Sequence, residues 1–149
     1  MRMSVARRAR TWLDHAVDLA PVVAGVVVAD WLLMGLAHAL DLHMAFHERD
    51  ASWYPWYLAI VAVVVVAGLV ACAGPRVSKP LRLAVGLTLG GALGNMSELA
   101  AFGHVTDFIP FPPSWLASAA DVCMFAAAAI VCFEAVKGVG HTLAAEAGE

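Results

Sequence analysis

Four long apolar segments separated by short polar connectors form the pattern of this chain. They run roughly over residues 19–40, 56–73, 81–102 and 115–136. Each has about the ~20 residues that an α-helix needs to cross a hydrocarbon core, where a helix satisfies its own backbone hydrogen bonds. The second segment is rich in β-branched residues, but its length and uninterrupted apolarity favour a helix in lipid over a strand in water. The pattern therefore predicts an all-α membrane protein with four transmembrane helices.

The basic residues predict how these helices are oriented. Eight of the nine lysines and arginines precede the first span, lie around the turn between the second and third, or follow the fourth: Arg2, Arg7, Arg8, Arg10, Arg76, Lys79, Arg82 and Lys137. Four spans put those three places on one side of the membrane, and the positive-inside rule assigns that side to the cytoplasm. We therefore expect a single membrane domain over residues 1–149 with both termini cytoplasmic. Residues 1–18 form an amphipathic lead-in, and residues 137–149 form a tail.

Composition agrees with a membrane protein and excludes other classes. Of the 149 residues 62% are hydrophobic and 14% are charged, with a mean hydropathy of +0.79, unlike a soluble domain, in which about a quarter of residues are charged. A net charge of -3 with no basic stripe argues against nucleic acid as a partner. The three cysteines lie in apolar segments without C-x-x-C spacing, so we interpret them as small buried hydrophobic residues.

Polar side chains collect near the predicted outer face. They are Asp41, His43, His47, Glu48, Asp50, His104, Asp107 and Asp121. Asp30 is different because it lies about midway along the first span, and carboxylates inside a membrane are functional candidates. The sequence shows no second intramembrane ionisable group with which Asp30 could form a proton path. We therefore interpret Asp30 as a polar anchor that bonds across helices.

Two aspartates flank the connector before the fourth span. Asp107 and Asp121 are separated by the short, proline-containing stretch "FIPFPPSWLASAA", which holds both carboxylates at one depth. Two such carboxylates do not both ionise easily, so they can divide the roles of base and acid as aspartic proteases do. Alternatively, Ser118-x-x-Asp121 is a helix capping box and Asp107 an ordinary loop residue.

The third span carries small and polar residues at helical spacing. Gly86, Gly90 and Gly94 recur every four residues, which predicts a seam that lets a neighbouring helix approach closely. Asn95 and Glu98 follow within about one turn and could hydrogen-bond across helices. The glycines are expected to position neighbouring functional side chains by close helix packing, and not to take part in the reaction themselves.

A metal site at the outer face is a further hypothesis. His43 and His47 have the i, i+4 spacing that puts two ligands on one face of a helix, and His38, Asp41 and His104 are nearby. Outer loops also carry such residues simply for solvation, and we predict no metal and no cofactor.

One stretch of the sequence resembles a known family. The matching residues are "GGALGN" at Gly90–Asn95, then Gly103, Val105, the Asp107-Phe108-Ile109 block and Ala120-Asp121. In order and placement these residues resemble the lipoprotein (type II) signal peptidases, which are small four-helix aspartyl proteases of the membrane. The resemblance is specific over about residues 86–125.

The resemblance implies a function and a set of site residues. The family cleaves the signal peptide of a prolipoprotein before its lipid-modified cysteine, near the outer surface of the bacterial cytoplasmic membrane. Its catalytic aspartates fall on Asp107 and Asp121. Supporting roles fall on Asn95, Glu98, Ser118 and Asp30. The implied partners are membrane lipid and a lipoprotein precursor or other transmembrane peptide, with a membrane protein as a possible further partner.

Several positions depart from the family pattern. Glu98-Leu99 replaces an aspartate-arginine pair, and Ser118 replaces an asparagine. Trp31 and Met34 stand where the family has a glutamine and a lysine, and "ERDASWYPW" replaces the motif before the second span. These losses leave an alternative hypothesis, a catalytically inactive membrane subunit or scaffold that keeps the fold and binds a partner helix or lipid.

Overall fold

The computed structural model describes three stretches of the chain and three single positions: residues 5–48, 77–111 and 115–146, and Pro55, Ala59 and Ala62. Side chains are described over residues 19–46, 77–110 and 116–138. The predicted second span, residues 56–73, lies outside the described residues apart from Ala59 and Ala62, which are helical.

Three helices and four short strands make up the described residues. In chain order they are α1 (Val5–Ala39), β1 (Ala45–Glu48), α2 (Lys79–Phe102), β2 (His104–Asp107), β3 (Ile109–Phe111), β4 (Trp115–Ala117) and α3 (Ala119–Glu146). Within these stretches two helical segments are long and apolar enough to cross a membrane, Leu19–Ala39 and Ala119–Gly138, each with a mean hydropathy of 2.0. The described chain is therefore mostly helical and carries two candidate membrane spans.

Two short strand pairs, which the sequence did not predict, accompany the predicted helices. β1 pairs with β2 and β3 pairs with β4, both antiparallel, so two small sheets form at one end of the helices. Backbone groups outside a helix still need hydrogen-bond partners, and short strand pairs supply them where the chain turns between helices. The same strands shift the fourth predicted span, because β4 occupies its first positions and α3 begins only at Ala119.

Local signals explain where α2 begins and ends. Ser78 is the N-cap, and its Oγ accepts a hydrogen bond from the backbone N–H of Leu81 at 3.4 Å, while a proline follows in the first turn. Gly103 ends the helix with φ 79°, and its N–H donates to the Leu99 carbonyl at 3.0 Å. That left-handed conformation strains any residue with a Cβ, so glycine suits the position.

The glycine seam brings α1 and α2 into close contact. A Cβ on Gly86 would lie 2.8 Å from Val22 Cγ1, and a Cβ on Gly90 would lie 2.6 Å from Val26 Cβ. A step of four residues along α2, from Gly86 to Gly90, matches a step of four residues along α1, from Val22 to Val26. The two helices therefore run parallel with a fixed register. The predicted packing role of these glycines is confirmed.

Helix α2 packs between α1 and α3, and α3 runs in the opposite direction. Ser78 Oγ, at the start of α2, donates to Glu134 Oε2 in the second half of α3 at 3.1 Å. Lys137 forms an ion pair with Glu134 at 3.0 Å. Lys79 and Arg82 begin α2, so these basic side chains share the end of the helices opposite the strands. The predicted topology requires these basic residues to lie together at one end of the helices, on the cytoplasmic side.

Candidate active site

The strand pairs bring the two predicted catalytic segments together. Asp107 is the last residue of β2, pairs with Ala45 of β1, and is 6% exposed. The next backbone N–H, that of Phe108, donates to the Ala117 carbonyl at 3.1 Å. Since Asp121 lies in the first turn of α3, four residues beyond Ala117, this hydrogen bond ties the chain at Asp107 to the start of the helix that carries Asp121.

Hydrogen bonds from two elements orient Asp121. Asn95 Nδ2, on α2, donates to Asp121 Oδ1 at 2.9 Å. Within the first turn of α3, the Ser118 N–H donates to Asp121 Oδ2 at 3.3 Å and the Asp121 N–H donates to Ser118 Oγ at 3.0 Å. The Ser118 hydroxyl in turn donates to Asn95 Oδ1 at 3.0 Å. The capping box that the sequence offered as an alternative interpretation is therefore present, and Asn95 extends it across to α2.

Asp30 reaches the same helix start from α1. It is fully buried, and its Oδ1 accepts the Ala120 backbone N–H at 2.8 Å, one residue before Asp121. Gly94 makes room for it, because a Cβ there would lie 2.9 Å from Asp30 Oδ2 and 3.3 Å from Ala120 Cβ. Asp30 thus bonds across helices, and Gly94 is the close approach that permits it.

Glu98 holds the segment that carries Asp107 in the same way as Asp30 holds the start of α3. Its Oε2 accepts the backbone N–H of Thr106 at 2.9 Å, one residue before Asp107. Thr106 is itself fully buried, and its hydroxyl lies 3.5 Å from His104 Nδ1. Thr106 was not predicted from the sequence, and Ala120 appeared only as part of the family-like Ala120-Asp121 pair, because a backbone N–H that binds a carboxylate has no residue-type signature. Their position next to the two aspartates was the available signal.

The structure corrects one statement about Asp30. The sequence showed no second intramembrane ionisable group that could form a proton path with Asp30, yet the Glu98 side chain is a direct neighbour of the Asp30 carboxyl group. The fixed register of α1 against α2 causes this, since Gly94 meets Asp30 and Glu98 lies one turn beyond Gly94. The position of each residue within its own predicted span does not show how two spans are aligned with each other.

The outer histidines do not form the helical pair considered above. His47 lies in β1 and His43 precedes it, so helical spacing does not apply to them. The His104 ring packs edge-on against Phe46, with ring centroids 4.8 Å apart. In the parts of the chain that the structure describes, no group of three or more His, Cys, Asp or Glu residues is arranged to hold a metal ion. The described cysteines, Cys123 and Cys132, are free thiols.

Solved structures share this fold. Two bacterial membrane enzyme structures determined by the in meso method each superpose with a TM-score of 0.67 at 15% sequence identity. The superpositions cover 83% and 80% of this chain and 90% and 93% of the two solved chains. This chain therefore shares the fold of those two proteins.

Sequence comparison gives the family. The family model described as signal peptidase (SPase) II matches residues 9–137, so the chain belongs to the signal peptidase II family. It is 33% identical to the lipoprotein signal peptidase of Pseudomonas syringae pv. tomato over 110 residues, 72% of this chain and 62% of that protein. It is 39% identical to the lipoprotein signal peptidase of Pseudomonas fluorescens over 87 residues, 56% of this chain and 51% of that protein. The chain thus spans between half and two thirds of the length of these curated relatives.

Proposed function

We propose that this protein is an aspartyl endopeptidase that cleaves a lipoprotein-type signal peptide at the outer face of the bacterial cytoplasmic membrane. Membership of the signal peptidase II family supports the activity, and the relatives named lipoprotein signal peptidase support the substrate class. The observation that carries the proposal is the pair of hydrogen bonds that orients the Asp121 carboxylate. One comes from the Asn95 amide on α2, and the other comes from the backbone N–H of Ser118, just before α3. Capping of α3 accounts for the bonds between Asp121 and Ser118, whereas the bond from Asn95 on α2 fixes the direction of the Asp121 carboxylate.

The proposed reaction needs two carboxyl groups with different protonation states. One of Asp107 and Asp121 is ionised and removes a proton from a water molecule as that water attacks the scissile carbonyl carbon. The other is protonated and gives its proton to the leaving amine as the C–N bond breaks, which balances the step. Burial of Asp107 in β2 limits competing water, and the Asn95 amide fixes the direction of the Asp121 carboxylate.

The proposed membrane placement follows from the two ends of the described helices. Four spans over about 19–40, 56–73, 81–102 and 115–136, with both termini cytoplasmic, would put the basic end inside and the strands outside. Two features support this: the Ser78–Glu134 bond, which holds the basic end together, and the two candidate spans of opposite direction. The site would then lie where a signal peptide leaves the membrane.

Cleavage by the purified protein tests the proposal. We expect wild type in detergent to cut a lipidated precursor, and Asp107→Asn and Asp121→Asn each to abolish cutting while the protein stays folded. Asp41→Asn is the matched control, because Asp41 is an exposed carboxylate at the end of α1 with φ 52°, a conformation that asparagine tolerates. Full activity in either dyad variant would refute the assignment of catalytic residues.

A non-catalytic membrane subunit is the alternative function. It is favoured by Leu99 and Met34, both buried and apolar where the resemblance expects an arginine and a lysine. The same experiment separates the two functions. Under the alternative, folded wild-type protein cuts neither a lipidated precursor nor another transmembrane peptide.

A further inference from the structure

Two fully buried carboxyl groups lie behind the predicted catalytic residues. Asp30 on α1 and Glu98 on α2 are both 0% exposed. The lysine and arginine side chains that the structure describes, Lys79, Arg82 and Lys137, belong to the opposite end of the helices. A buried carboxylate that lacks a cation must be stabilised by hydrogen bonds or by a proton, since desolvation of the charge is costly.

Each of the two carboxyl groups uses one oxygen to hold a backbone segment. Asp30 Oδ1 accepts the Ala120 N–H at 2.8 Å, and Glu98 Oε2 accepts the Thr106 N–H at 2.9 Å. The remaining oxygens, Asp30 Oδ2 and Glu98 Oε1, are buried and have no donor among the described residues. Gly94 of α2 lies against Asp30 Oδ2, and Glu98 follows one turn later on α2, so the two carboxyl groups are neighbours across α1 and α2. We therefore assign the two unpartnered oxygens to one shared contact.

Two ionised carboxylates cannot make that contact, because both are acceptors only. A single proton between them turns one group into a donor and halves the charge that is buried. The neighbouring titratable side chains near Asp30, Asp121 and Cys123 of α3, add no positive charge. The Ala119 N–H is close to Asp30 and the Thr106 hydroxyl is close to Glu98, but neither donates to Asp30 Oδ2 or Glu98 Oε1, which have no partner among the described residues.

We propose that Asp30 and Glu98 share one proton between Asp30 Oδ2 and Glu98 Oε1 and act as a positioning clamp for the catalytic dyad. Through Thr106 and Ala120, the clamp fixes the backbone one residue before each of Asp107 and Asp121. It therefore sets the separation of the two segments without touching the substrate. The positioning role rests on the proposed function, whereas the shared proton does not.

Infrared spectroscopy tests the shared proton independently of activity. The parent protein carries Asp107→Asn and Asp121→Asn, so that the dyad itself contributes no protonated carboxyl group. At neutral pH we expect a protonated-carboxyl C=O band in the parent, and we expect its loss when either Glu98→Gln or Asp30→Asn is added. In both variants an amide donates to the remaining carboxylate, which keeps the contact but removes the proton. A parent without the band, or a band that survives either substitution, overturns the proposal.

Kinetics tests the positioning role in the otherwise wild-type protein. Removing the polar group in Glu98→Leu should lower kcat by about thirtyfold or more with little change in KM, since a displacement of about 1 Å in a reacting group can cost on the order of a hundredfold. Glu98→Gln should recover at least about tenfold of that loss, because its amide can make both hydrogen bonds. Glu134→Gln at the opposite end of α3 is the control. Equal kcat in the leucine and glutamine variants would overturn the clamp.

The outcomes separate the two proposals. If folded wild type cuts no lipidated precursor, the proposed function fails while the infrared result still decides whether the proton is shared. If wild type is active and the infrared band is absent, only the clamp fails.

Discussion

Replacing Gly91 with alanine tests whether close packing of α2 on α3 sets the site. An added Cβ would lie 2.6 Å from the Ala120 carbonyl oxygen and 2.8 Å from Met124 Cγ, whereas ordinary contact begins at 3.4 Å. The methionine can move to another rotamer, but the carbonyl belongs to the backbone. The Ala120 N–H is also held by Asp30, so α3 must shift by roughly 0.8 Å as a unit or break that bond.

The expected magnitude has two opposing parts. Alanine favours a helix interior over glycine by about 1 kcal/mol, while overpacking of this kind costs about 1–3 kcal/mol. Gly25→Ala on α1 isolates the first part, because nothing lies within 4 Å of the added Cβ. We therefore expect Gly91→Ala to be less stable than Gly25→Ala by about 1–3 kcal/mol, with kcat lower by about ten- to a hundredfold.

Denaturant unfolding in detergent micelles measures the free energy difference between these two variants, and cleavage of a lipidated precursor measures kcat. The reasoning is refuted if Gly91→Ala matches Gly25→Ala in both measurements. A loss of kcat without a loss of stability would still agree with the structure, since displacement of Ala120 acts directly on the neighbouring Asp121.

Two further predictions concern the ends of α2 and α3. Ser118→Ala removes the hydroxyl that accepts the Asp121 N–H and donates to Asn95, so we expect a loss of about 1 kcal/mol in unfolding free energy and a lower kcat; unchanged values of both would contradict the capping network. Gly103→Ala forces a Cβ into a φ of 79°, so unfolding free energy should fall by about 1 kcal/mol, against no loss for Gly35→Ala; equal stability would contradict the left-handed cap.

Features that repeat along a helix or that terminate one were predictable from the residues alone. The spacing of Gly86 and Gly90 predicted a close helix contact, and the structure confirms it against Val22 and Val26. The capping pattern at Ser118 and Asp121 was equally visible. Such features depend on residues a few positions apart on one helix, where geometry is fixed by the helical repeat itself.

Short strands were not predictable in the same way. Residues 45–48 and 104–107 carry no long alternating pattern, and their β structure arises because each supplies the backbone partners of the other. A strand of four residues is stabilised by its pairing more than by its own composition. The helical class was therefore predictable from the sequence, and the two short strand pairs were not.

The meeting of the two carboxyl groups behind the site, by contrast, depends on how the helices pack. The sequence marked Asp30 as an intramembrane carboxylate and Glu98 as a departure from the family pattern, 68 positions further along the chain. The parallel register of α1 and α2 brings the two side chains together. Thr106 of β2 donates its backbone N–H to Glu98, and Ala120 in the first turn of α3 donates its backbone N–H to Asp30. A contact between side chains on different helices depends on how the helices are aligned along their axes and how far each side chain lies from the helix ends. The spacing of residues in the sequence does not give that alignment.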